Sequence, residues 1–259
     1  MKIAAIIQAR MSSTRLPNKV LADIEGKPML WHIINRLKRA ELVDEIIVAT
    51  TTNRKDEPII ELAKETKAEW FRGSESDVLD RYYQAAKRHK VDVIVRITAD
   101  CPLVAPKVVD KIIKHFLNGK FDYVSNVNPS TYPDGLDVEV FSFKTLKKAL
   151  EGAKKSSERE HVTLYVVNHP EMFIIGNIEN EKNLSYMRWC IDEQKDLKFV
   201  KEIYKRLYKN DEIFNMNDIL SLLKKEPELM KINEGILRNE GLMKSLKEDK
   251  ILNLDYPEK

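Results

Sequence analysis

The sequence predicts an α/β fold built on a mostly parallel sheet. Apolar runs of strand length recur at residues 3–7, 45–51 and 92–98, and segments with helical periodicity separate them. Continuous apolar runs are typical of strands buried on both faces. Their alternation with helices indicates βαβ units joined by right-handed crossovers.

The first strand, residues 3–7, runs into a loop of small and cationic residues. Its small members let backbone N–H groups approach a ligand, and its two arginines and one lysine suit phosphate. The loop matches neither the Walker P-loop nor the dinucleotide-binding G-x-G-x-x-G. A basic surface loop after an ordinary strand is the alternative. The residues in question are Ala9, Arg10, Ser12, Ser13, Thr14, Arg15 and Lys19.

The next elements continue the strand–helix alternation. Pro28 suits the first turn of a helix, and Asp56 suits the cap of another. The predicted elements are helix 27–39, strand 45–51, a helix after Asp56, a short strand at 70–71, helix 78–89, strand 92–98, helix 108–118 and a strand around Tyr123.

The pattern changes after residue 125. Residues 126–135 form a long polar loop, and 136–141 alternate, with Asp137 and Glu139 on one face of a predicted strand. A helix at 157–168 would place Glu158, His161 and Tyr165 on one side. We predict a further strand at 187–191 and then helices at 197–208, 216–224 and 232–247.

The economical division is one α/β domain over residues 1–208 with a helical extension over 209–259. The tail is too apolar on one face to be free, so we expect it to pack on the body or on a second subunit. A homodimer is therefore the expected assembly.

Composition excludes several classes of protein. The net charge of +3 is the difference between 44 basic and 41 acidic residues, which does not suggest nucleic-acid binding. Two cysteines are too few for a disulfide framework or a metal knuckle. With no apolar span of transmembrane length and no signal-peptide pattern, we expect a cytoplasmic protein without membrane insertion.

Two aspartates each end an apolar run at the sheet edge where ligands bind. Asp100 and Asp192 beside a phosphate-binding loop would hold Mg²⁺, which prefers hard oxygen ligands. The alternative is that each caps the following helix. Cys101 has no base paired with it in the sequence, so we reject it as a nucleophile. The acids near Tyr132 indicate a polar ligand pocket or ordinary surface charges.

Ordered blocks of sequence resemble one enzyme superfamily. Residues 8–19 with 26–29 resemble the opening signature of the cytidylyltransferases that activate sialic acids and 3-deoxy-octulosonate. Blocks 72–81, 96–102, 132–140 and 158–162 are similar to the SpsF-like branch of that superfamily, which acts in spore coat polysaccharide biosynthesis. The resemblance covers roughly residues 1–205.

The resemblance implies a Rossmann-like, GT-A-type nucleotidyltransferase fold that uses CTP and Mg²⁺. Lys19, Arg15 and Arg10 would be catalytic, and Asp100 and Asp192 would bind the metal. The implied nucleotide-binding residues are Gln8, Ala9, Arg10, Ser12, Arg15, Lys19, Gly73, Ser74 and Asp100. The implied acceptor-binding residues are Tyr132, Asp134, Asp137, Glu139, Arg159 and His161.

The expected reaction is attack by an oxygen of a sugar acid or similar acceptor on the α-phosphorus of CTP, with release of pyrophosphate. The sequence names no general base. The alternatives are a GT-A-like glycosyltransferase using a nucleotide sugar and a nucleotide-binding protein without turnover.

Overall fold

The computed structural model describes residues 1–209 and 212–252 and is built around a seven-stranded sheet. Strand order across the sheet is β5-β4-β1-β6-β8-β7-β9. Strand β8 is antiparallel to both neighbours, and the other pairings are parallel. The strands are β1 (Ile3–Gln8), β4 (Glu45–Thr51), β5 (Glu69–Gly73), β6 (Val93–Thr98), β7 (Tyr123–Ser125), β8 (Glu139–Ser142) and β9 (Ile175–Asn177), with a separate hairpin of β2 (Asp23–Ile24) and β3 (Lys27–Pro28).

Ten α-helices are assigned within the described ranges, and most connect the strands. Helix α3 begins where the Asp77 side chain accepts from the backbone N–H of Asp80, and α9 begins at a similar cap on Asn215. The helices are α1 (Met29–Leu37), α2 (Glu57–Glu65), α3 (Val78–Arg88), α4 (Pro106–Asn118), α5 (Phe143–Gly152), α6 (Ser156–Glu160), α7 (Leu164–Asn168), α8 (Gln194–Leu207), α9 (Met216–Lys225) and α10 (Glu240–Lys247). None of the helices in the described residues has the length and apolar character needed to cross a membrane.

Strand β1 shows why the strand sequences are continuously apolar. Ala5 and Ile7 pack into the hydrophobic core on one face of the sheet, and Ala4 and Ile6 pack into the core on the other. Both faces are covered by helices, so neither alternate set of side chains meets solvent. The predicted α/β class with a mostly parallel sheet is confirmed.

Four predicted elements differ in form. The helix predicted at 232–247 is the shorter α10, Glu240–Lys247, and a separate 3-10 stretch, Pro227–Asn233, precedes it. The helix predicted at 157–168 is two short helices, α6 and α7, because Val162 adopts a left-handed φ of 50° between them. The segment 187–191 is not a strand. The Asp134 N–H donates to the Met187 carbonyl and its carbonyl accepts from the Trp189 N–H, which makes one isolated parallel bridge at Arg188. A further bond runs from the Ile191 N–H to the Asp100 carbonyl. The strand predicted from residue 136 begins at Glu139, because Asn126 bonds the backbone of Leu136 and Val138 instead.

The chain after α8 contributes to the main core. Phe214, Ile219 and Leu229 lie in the same hydrophobic cluster as the sheet, whereas α10 buries none of its residues. The division of the chain at residue 208 stays a prediction. Residues 234–252 contribute no side chain to either hydrophobic core cluster, and this segment is called the strap below.

Candidate functional site

The loop after β1 lies at the carboxyl edge of the sheet. Strands β1 and β6 run in register, with Gln8 opposite Thr98, so the ends of these two strands come together. The Met11 N–H donates to the buried Asp56 carboxylate at 2.8 Å, which fixes the start of the loop. The loop ends in a 3-10 turn, Lys19–Leu21, entered through Asn18 at a φ of 59°. This turn directs Lys19 toward the end of β6.

Lys19 joins the two predicted metal aspartates. Its Nζ lies 3.3 Å from Asp100 Oδ2 and 2.8 Å from Asp192 Oδ1, and it donates to the Ile191 carbonyl at 2.8 Å. Burial disfavours the charged ammonium, but the two carboxylates outweigh burial and raise the pKa of Lys19. Asp100 and Asp192, which are 92 residues apart, therefore converge on one nitrogen.

Asp100 is held from two sides. Thr98 Oγ1 donates to its Oδ1 at 2.5 Å, and Lys19 faces its Oδ2. Burial works against ionisation, but the charge of Lys19 and the Thr98 hydrogen bond lower the pKa of Asp100. Burial raises the pKa of the neighbouring Cys101 thiol, and the carboxylates of Asp100 and Asp137 add to this effect. Cys101 is thus a protonated, buried thiol, as expected from the sequence.

Two arginines complete the surroundings of Asp192. Arg15 Nη2 and Arg188 Nη2 each lie 3.1 Å from its Oδ2. Arg188 also contacts the fully buried Asp196 at 3.0 Å and Asp134 at 2.9 Å. Sequence analysis missed Arg188, although its position four residues before Asp192 was a usable signal. This arginine ties the predicted metal aspartate to the predicted acceptor block.

The acceptor block forms a wall of ion pairs. Arg96 pairs with Glu139, which also accepts from Tyr123 Oη at 2.7 Å. Burial opposes ionisation of Glu139, but the Arg96 charge lowers its pKa. Asp134 pairs with Arg188, and burial raises its pKa despite the nearby arginines. Two of the three acids of this wall are thereby neutralised by nearly buried arginines.

Asp137 is the most exposed of these acids, with 31% of its side chain accessible. Its Oδ1 accepts from Arg238 Nη2 at 2.6 Å, and Arg238 belongs to the strap. Burial raises the pKa of Asp137 to about 7, against the lowering effect of Arg238. Arg238 is the second functional residue missed from sequence, where it had no motif to mark it.

Two adjoining cavities hold these side chains. One, of about 270 Å³, is lined by the loop and includes Gln8, Ala9, Arg10, Ser12, Arg15, Lys19, Asp100 and Asp192. The other, of about 500 Å³, is lined by Asp134, Asp137, Glu139, His161, Arg188 and Arg238. Gln8, Arg15, Asp100 and Asp192 line both cavities. The site thus has one cavity lined mainly by cationic side chains and a second lined by both acidic and basic side chains. The two cavities meet at Asp100 and Asp192.

Four predicted residues lie outside these two cavities. Arg159 is 1% exposed, and its Nε donates to Asp77 at 3.0 Å, so it braces the start of α3 in the interior. Tyr132 is also buried, and its carbonyl accepts from Arg238. Gly73 and Ser74 contact Arg81, which lines a smaller cavity with Gln8 and Arg10. These four residues position others and do not line the main site.

His161 does line the site. Its Nε2 lies 3.0 Å from Ser245 Oγ on the strap, and the same hydroxyl donates to Glu160 at 2.7 Å. Burial lowers the pKa of His161 in spite of Glu160. A neutral imidazole is therefore favoured at neutral pH, so His161 presents a hydrogen-bonding group and not a fixed cation.

The donor set fits Mg²⁺. No cluster of three or more His, Cys, Asp or Glu residues capable of holding a metal occurs in residues 1–209 and 212–252. Mg²⁺ is, however, commonly bound by one or two carboxylates together with substrate phosphates. Asp100 and Asp192 provide two carboxylates, and the Lys19 ammonium already places one positive charge between them.

Comparison with known proteins identifies the family of this chain. The sequence model of the cytidylyltransferase family matches residues 4–231. The uncharacterised protein MJ1063 of Methanocaldococcus jannaschii is 41% identical over 240 residues, which cover 91% of this chain and 96% of that one. The spore coat polysaccharide biosynthesis protein SpsF of Bacillus subtilis is 31% identical, over 87% of this chain and 95% of that one.

A solved structure extends the likeness to three dimensions. A cytidylyltransferase from Leptospira borgpetersenii superposes with a TM-score of 0.86 at 32% sequence identity and covers 92% of this chain and 100% of its own. The family match includes both the cationic loop and the two aspartates that converge on Lys19. The chain belongs to the cytidylyltransferase family and is a CTP-dependent nucleotidyltransferase.

Proposed function

We propose that this enzyme transfers CMP from CTP to a hydroxyl of a sugar acid or a similar small acceptor and releases pyrophosphate. The observation that carries the proposal is the convergence of Asp100 and Asp192 on Lys19, where the cationic cavity meets the acceptor cavity. The α-phosphorus of CTP would lie at this junction, with the β- and γ-phosphates along the loop.

The loop residues would bind and orient the triphosphate. The backbone N–H groups of Ala9, Met11 and Ser13 donate within the protein. The loop would therefore offer the N–H groups of Arg10, Ser12 and Thr14, and the side chains of Arg10, Arg15 and Lys19 suit phosphate oxygens. Ser12 is held near Glu75 at 3.1 Å and would add a hydroxyl donor. Cytosine would lie toward the smaller cavity beside Arg81, at the end where Gly73 and Ser74 brace that arginine.

The chemical step forms a bond between the acceptor oxygen and the α-phosphorus. It breaks the bond from that phosphorus to the oxygen that bridges to the β-phosphate. The electron pair leaves with pyrophosphate, and the acceptor hydroxyl gives up its proton. Lys19 and Arg15 would stabilise the charge that grows on pyrophosphate, so catalysis is mainly orientation and electrostatic stabilisation.

Asp100 and Asp192 would hold Mg²⁺. The ion would supply positive charge to the phosphate oxygens when bound. Lys19 would then exchange its carboxylate partners for phosphate oxygens. Both groups of partners are anionic, so the ammonium keeps a counter-charge throughout.

Acceptors would bind in the cavity of about 500 Å³. Asp134, Asp137 and Glu139 form one wall, and His161 also lines the cavity as a neutral hydrogen-bonding group. A polyhydroxylated compound suits such a wall of carboxylates and arginines, because its hydroxyls both donate and accept hydrogen bonds. The relative SpsF, by its name, acts in polysaccharide biosynthesis, and we place this reaction in surface polysaccharide or glycan synthesis.

Cellular setting and assembly belong to the same proposal. We place the enzyme in the cytoplasm as a homodimer. Both cysteines are free and buried, as suits a reducing compartment. Leu237, Met243 and Ile251 expose more than half of their surfaces along the strap and would contribute to an interface. Sedimentation equilibrium would test this assembly, for which a mass of 30.1 kDa in solution would be contradictory.

The direct test is an acceptor screen. Wild-type enzyme with Mg²⁺ and each of the four ribonucleoside triphosphates would be incubated with sugar acids, polyol phosphates and neutral sugars. Pyrophosphate release and the mass of any conjugate would be followed. We expect CTP-dependent pyrophosphate release and a CMP conjugate. A glycosyltransferase would instead consume a nucleotide sugar and give no CMP conjugate.

A further inference from the structure

The strap lies across the mouth of the acceptor cavity and is attached to it by polar contacts. Glu240 contacts Arg15 at 3.1 Å, Arg238 contacts Asp137 at 2.6 Å, and Ser245 bonds His161 at 3.0 Å. Its end is fastened where Asp249 accepts from the Ser157 N–H at 3.0 Å. Strap helix α10 buries none of its residues. The strap therefore adds little to the hydrophobic core and much to the lining of the site.

The other cations of the acceptor cavity already have carboxylate partners in the body of the protein. Arg96 is paired with Glu139, and Arg188 is paired with the buried Asp196 and with Asp134. These two side chains are 14% and 8% exposed. Moving either to a ligand would leave a buried carboxylate without a counter-charge, which is costly.

Arg15 and Arg159 are no better placed. Arg15 belongs to the phosphate-binding loop and pairs with Asp192. Arg159 is buried against Asp77, away from the residues that line the cavity. The positive charge for an anionic acceptor must therefore come from another residue.

Arg238 can leave its partner at lower cost. It contacts Asp137 directly, donates to the Tyr132 carbonyl at 3.3 Å and approaches Asp134 at 4.0 Å. Arg188 also neutralises Asp134, and the Tyr132 bond is long, so these two contacts are the weaker ones. Asp137 has a pKa near 7, so this carboxyl can take up a proton when Arg238 turns away. An arginine fork matches a carboxylate or a phosphate in two parallel hydrogen bonds.

We infer that Arg238 is the residue of the strap that selects acceptors bearing a carboxylate or phosphate group, and that the strap is held in place more tightly once Arg238 engages that group. This inference rests on the proposed CMP transfer. It gives the acceptor an anionic group in addition to the attacking hydroxyl, and it assigns specificity to a segment outside the α/β body.

The test compares acceptors that differ in charge. Three probes would be used at saturating CTP: 3-deoxy-manno-octulosonate, its methyl ester and glycerol phosphate. For wild type, we expect the KM of one anionic probe to be lower than that of the ester by about tenfold or more, as one charge-assisted interaction implies. The identity of the preferred probe distinguishes a carboxylate from a phosphate.

Arg238→Ala should raise the KM of the preferred anion by about 10- to 100-fold, leave the KM of CTP within about twofold, and remove the preference over the ester. Arg238→Lys should recover part of the preference, because lysine keeps the charge and loses the fork. Lys247→Ala, at an exposed position of the same strap, also removes one positive charge and should leave all three KM values unchanged. An unchanged KM for both anions in Arg238→Ala, or an equal loss in Lys247→Ala, overturns the inference.

A second measurement does not need turnover. Hydrogen exchange of the strap amides should slow when the preferred anion is added to wild type, and should not change in Arg238→Ala. Exchange that is identical with and without both anions overturns the inference. If wild type turns over neutral acceptors alone, CMP transfer stands and the inference fails. If no acceptor reacts, the proposed function fails and hydrogen exchange alone decides the strap's role.

Discussion

Lys19 is the residue on which the predicted donor chemistry depends. Its ammonium lies between Asp100 and Asp192, where sequence analysis expected a metal. The position of Asp100 was predictable because it follows strand β6 at the carboxyl edge of the sheet. The run before Asp192 forms no strand, and the bond from the Ile191 N–H to the Asp100 carbonyl brings Asp192 to the same place. The lysine's position between the two could not be predicted, since it is set by the 3-10 turn at Lys19–Leu21 and a left-handed Asn18.

Replacing Lys19 by Met tests its two proposed roles, which are to stabilise the charge on pyrophosphate and to neutralise Asp100 and Asp192. We expect kcat to fall by about 10²- to 10³-fold, because a cation that stabilises the departing pyrophosphate is lost. Mg²⁺ should raise the melting temperature of Lys19→Met more than that of wild type, because the two carboxylates no longer share an internal cation. Lys198→Ala, an exposed lysine on α8, is the control. Full turnover by Lys19→Met would remove Lys19 from the site.

Asp137 should make stability depend on pH. Its pKa is raised in the folded protein from 3.8 to about 7 by burial, with Arg238, Asp134 and Glu139 as the charges around it. The folded state therefore holds a proton that the unfolded state has lost across this range, and the group's stabilising effect declines as pH rises from about 4 to about 7. Asp137→Asn should gain stability relative to wild type between pH 5 and pH 8 in thermal unfolding. A stability difference that is constant with pH would contradict the assignment.

Arg159 was predicted to bind the acceptor, but in the structure it lies in the interior. A cation in a cluster with Glu160 and His161 pointed toward the acceptor, but packing turns it inward onto Asp77. Arg159→Met should cost on the order of 3 kcal/mol of stability in denaturant unfolding, because Asp77 would lose its partner. The acceptor KM should not change. Lys147→Ala, which breaks the exposed pair with Glu151, is the control. A raised acceptor KM with unchanged stability would return Arg159 to the acceptor site.

At the scale of elements, the crossing of two loops builds the acceptor wall. Gly135 has a φ of 108°, and a Cβ there would lie 2.6 Å from the Cys190 nitrogen and 2.7 Å from the Trp189 carbonyl carbon. Both contacts are backbone atoms, so neither can move aside cheaply. This close approach lets the chain segments that carry Asp134 and Arg188 meet.

Gly135→Ala should therefore lower stability by more than about 2 kcal/mol and reduce activity, because the left-handed φ and the backbone clash act together. Gly241→Ala is the matched control: it lies in α10 with open space around it, and alanine there should be neutral or slightly stabilising. Denaturant unfolding of both variants gives the comparison. Equal stability of the two would show that the loop crossing tolerates a side chain.

Strands and helices were predictable where their side chains followed a single hydrophobic pattern along the sequence. Buried strands β1, β4 and β6 were placed closely because their apolar runs face a core on both sides. The segment 187–191 looked like a strand for the same reason, yet it makes only an isolated bridge to Asp134 and one bond to the Asp100 carbonyl, and it pairs with no strand. The segment is apolar because it is buried. Whether it forms a strand depends on hydrogen-bond partners that are distant in sequence, and those cannot be read from the apolar pattern.

At the scale of the molecule, the sheet brings two cavities together and the strap covers one of them. The α/β body and the cationic loop were predictable, because local patterns encode them. Arg238 and the strap were not, because their roles follow from contacts between residues 84 to 225 positions apart. Arg188 was marked by its spacing from Asp192, but its contact with Asp134, 54 positions away, was not predictable. The proposed acceptor specificity thus depends on long-range contacts, whereas the loop proposed to bind the triphosphate is one continuous segment near the N-terminus.

The central claim is that the α-phosphorus of CTP is attacked where the loop meets Asp100 and Asp192. Parallel reactions with CTP labelled with ³²P at the α or the γ position, and with the acceptor found in the screen, test it most directly. The account predicts that α label appears in the acceptor conjugate, that γ label appears in pyrophosphate, and that Lys19→Met slows both. Transfer of γ label to the acceptor, or release of α label as free CMP without a conjugate, would contradict it.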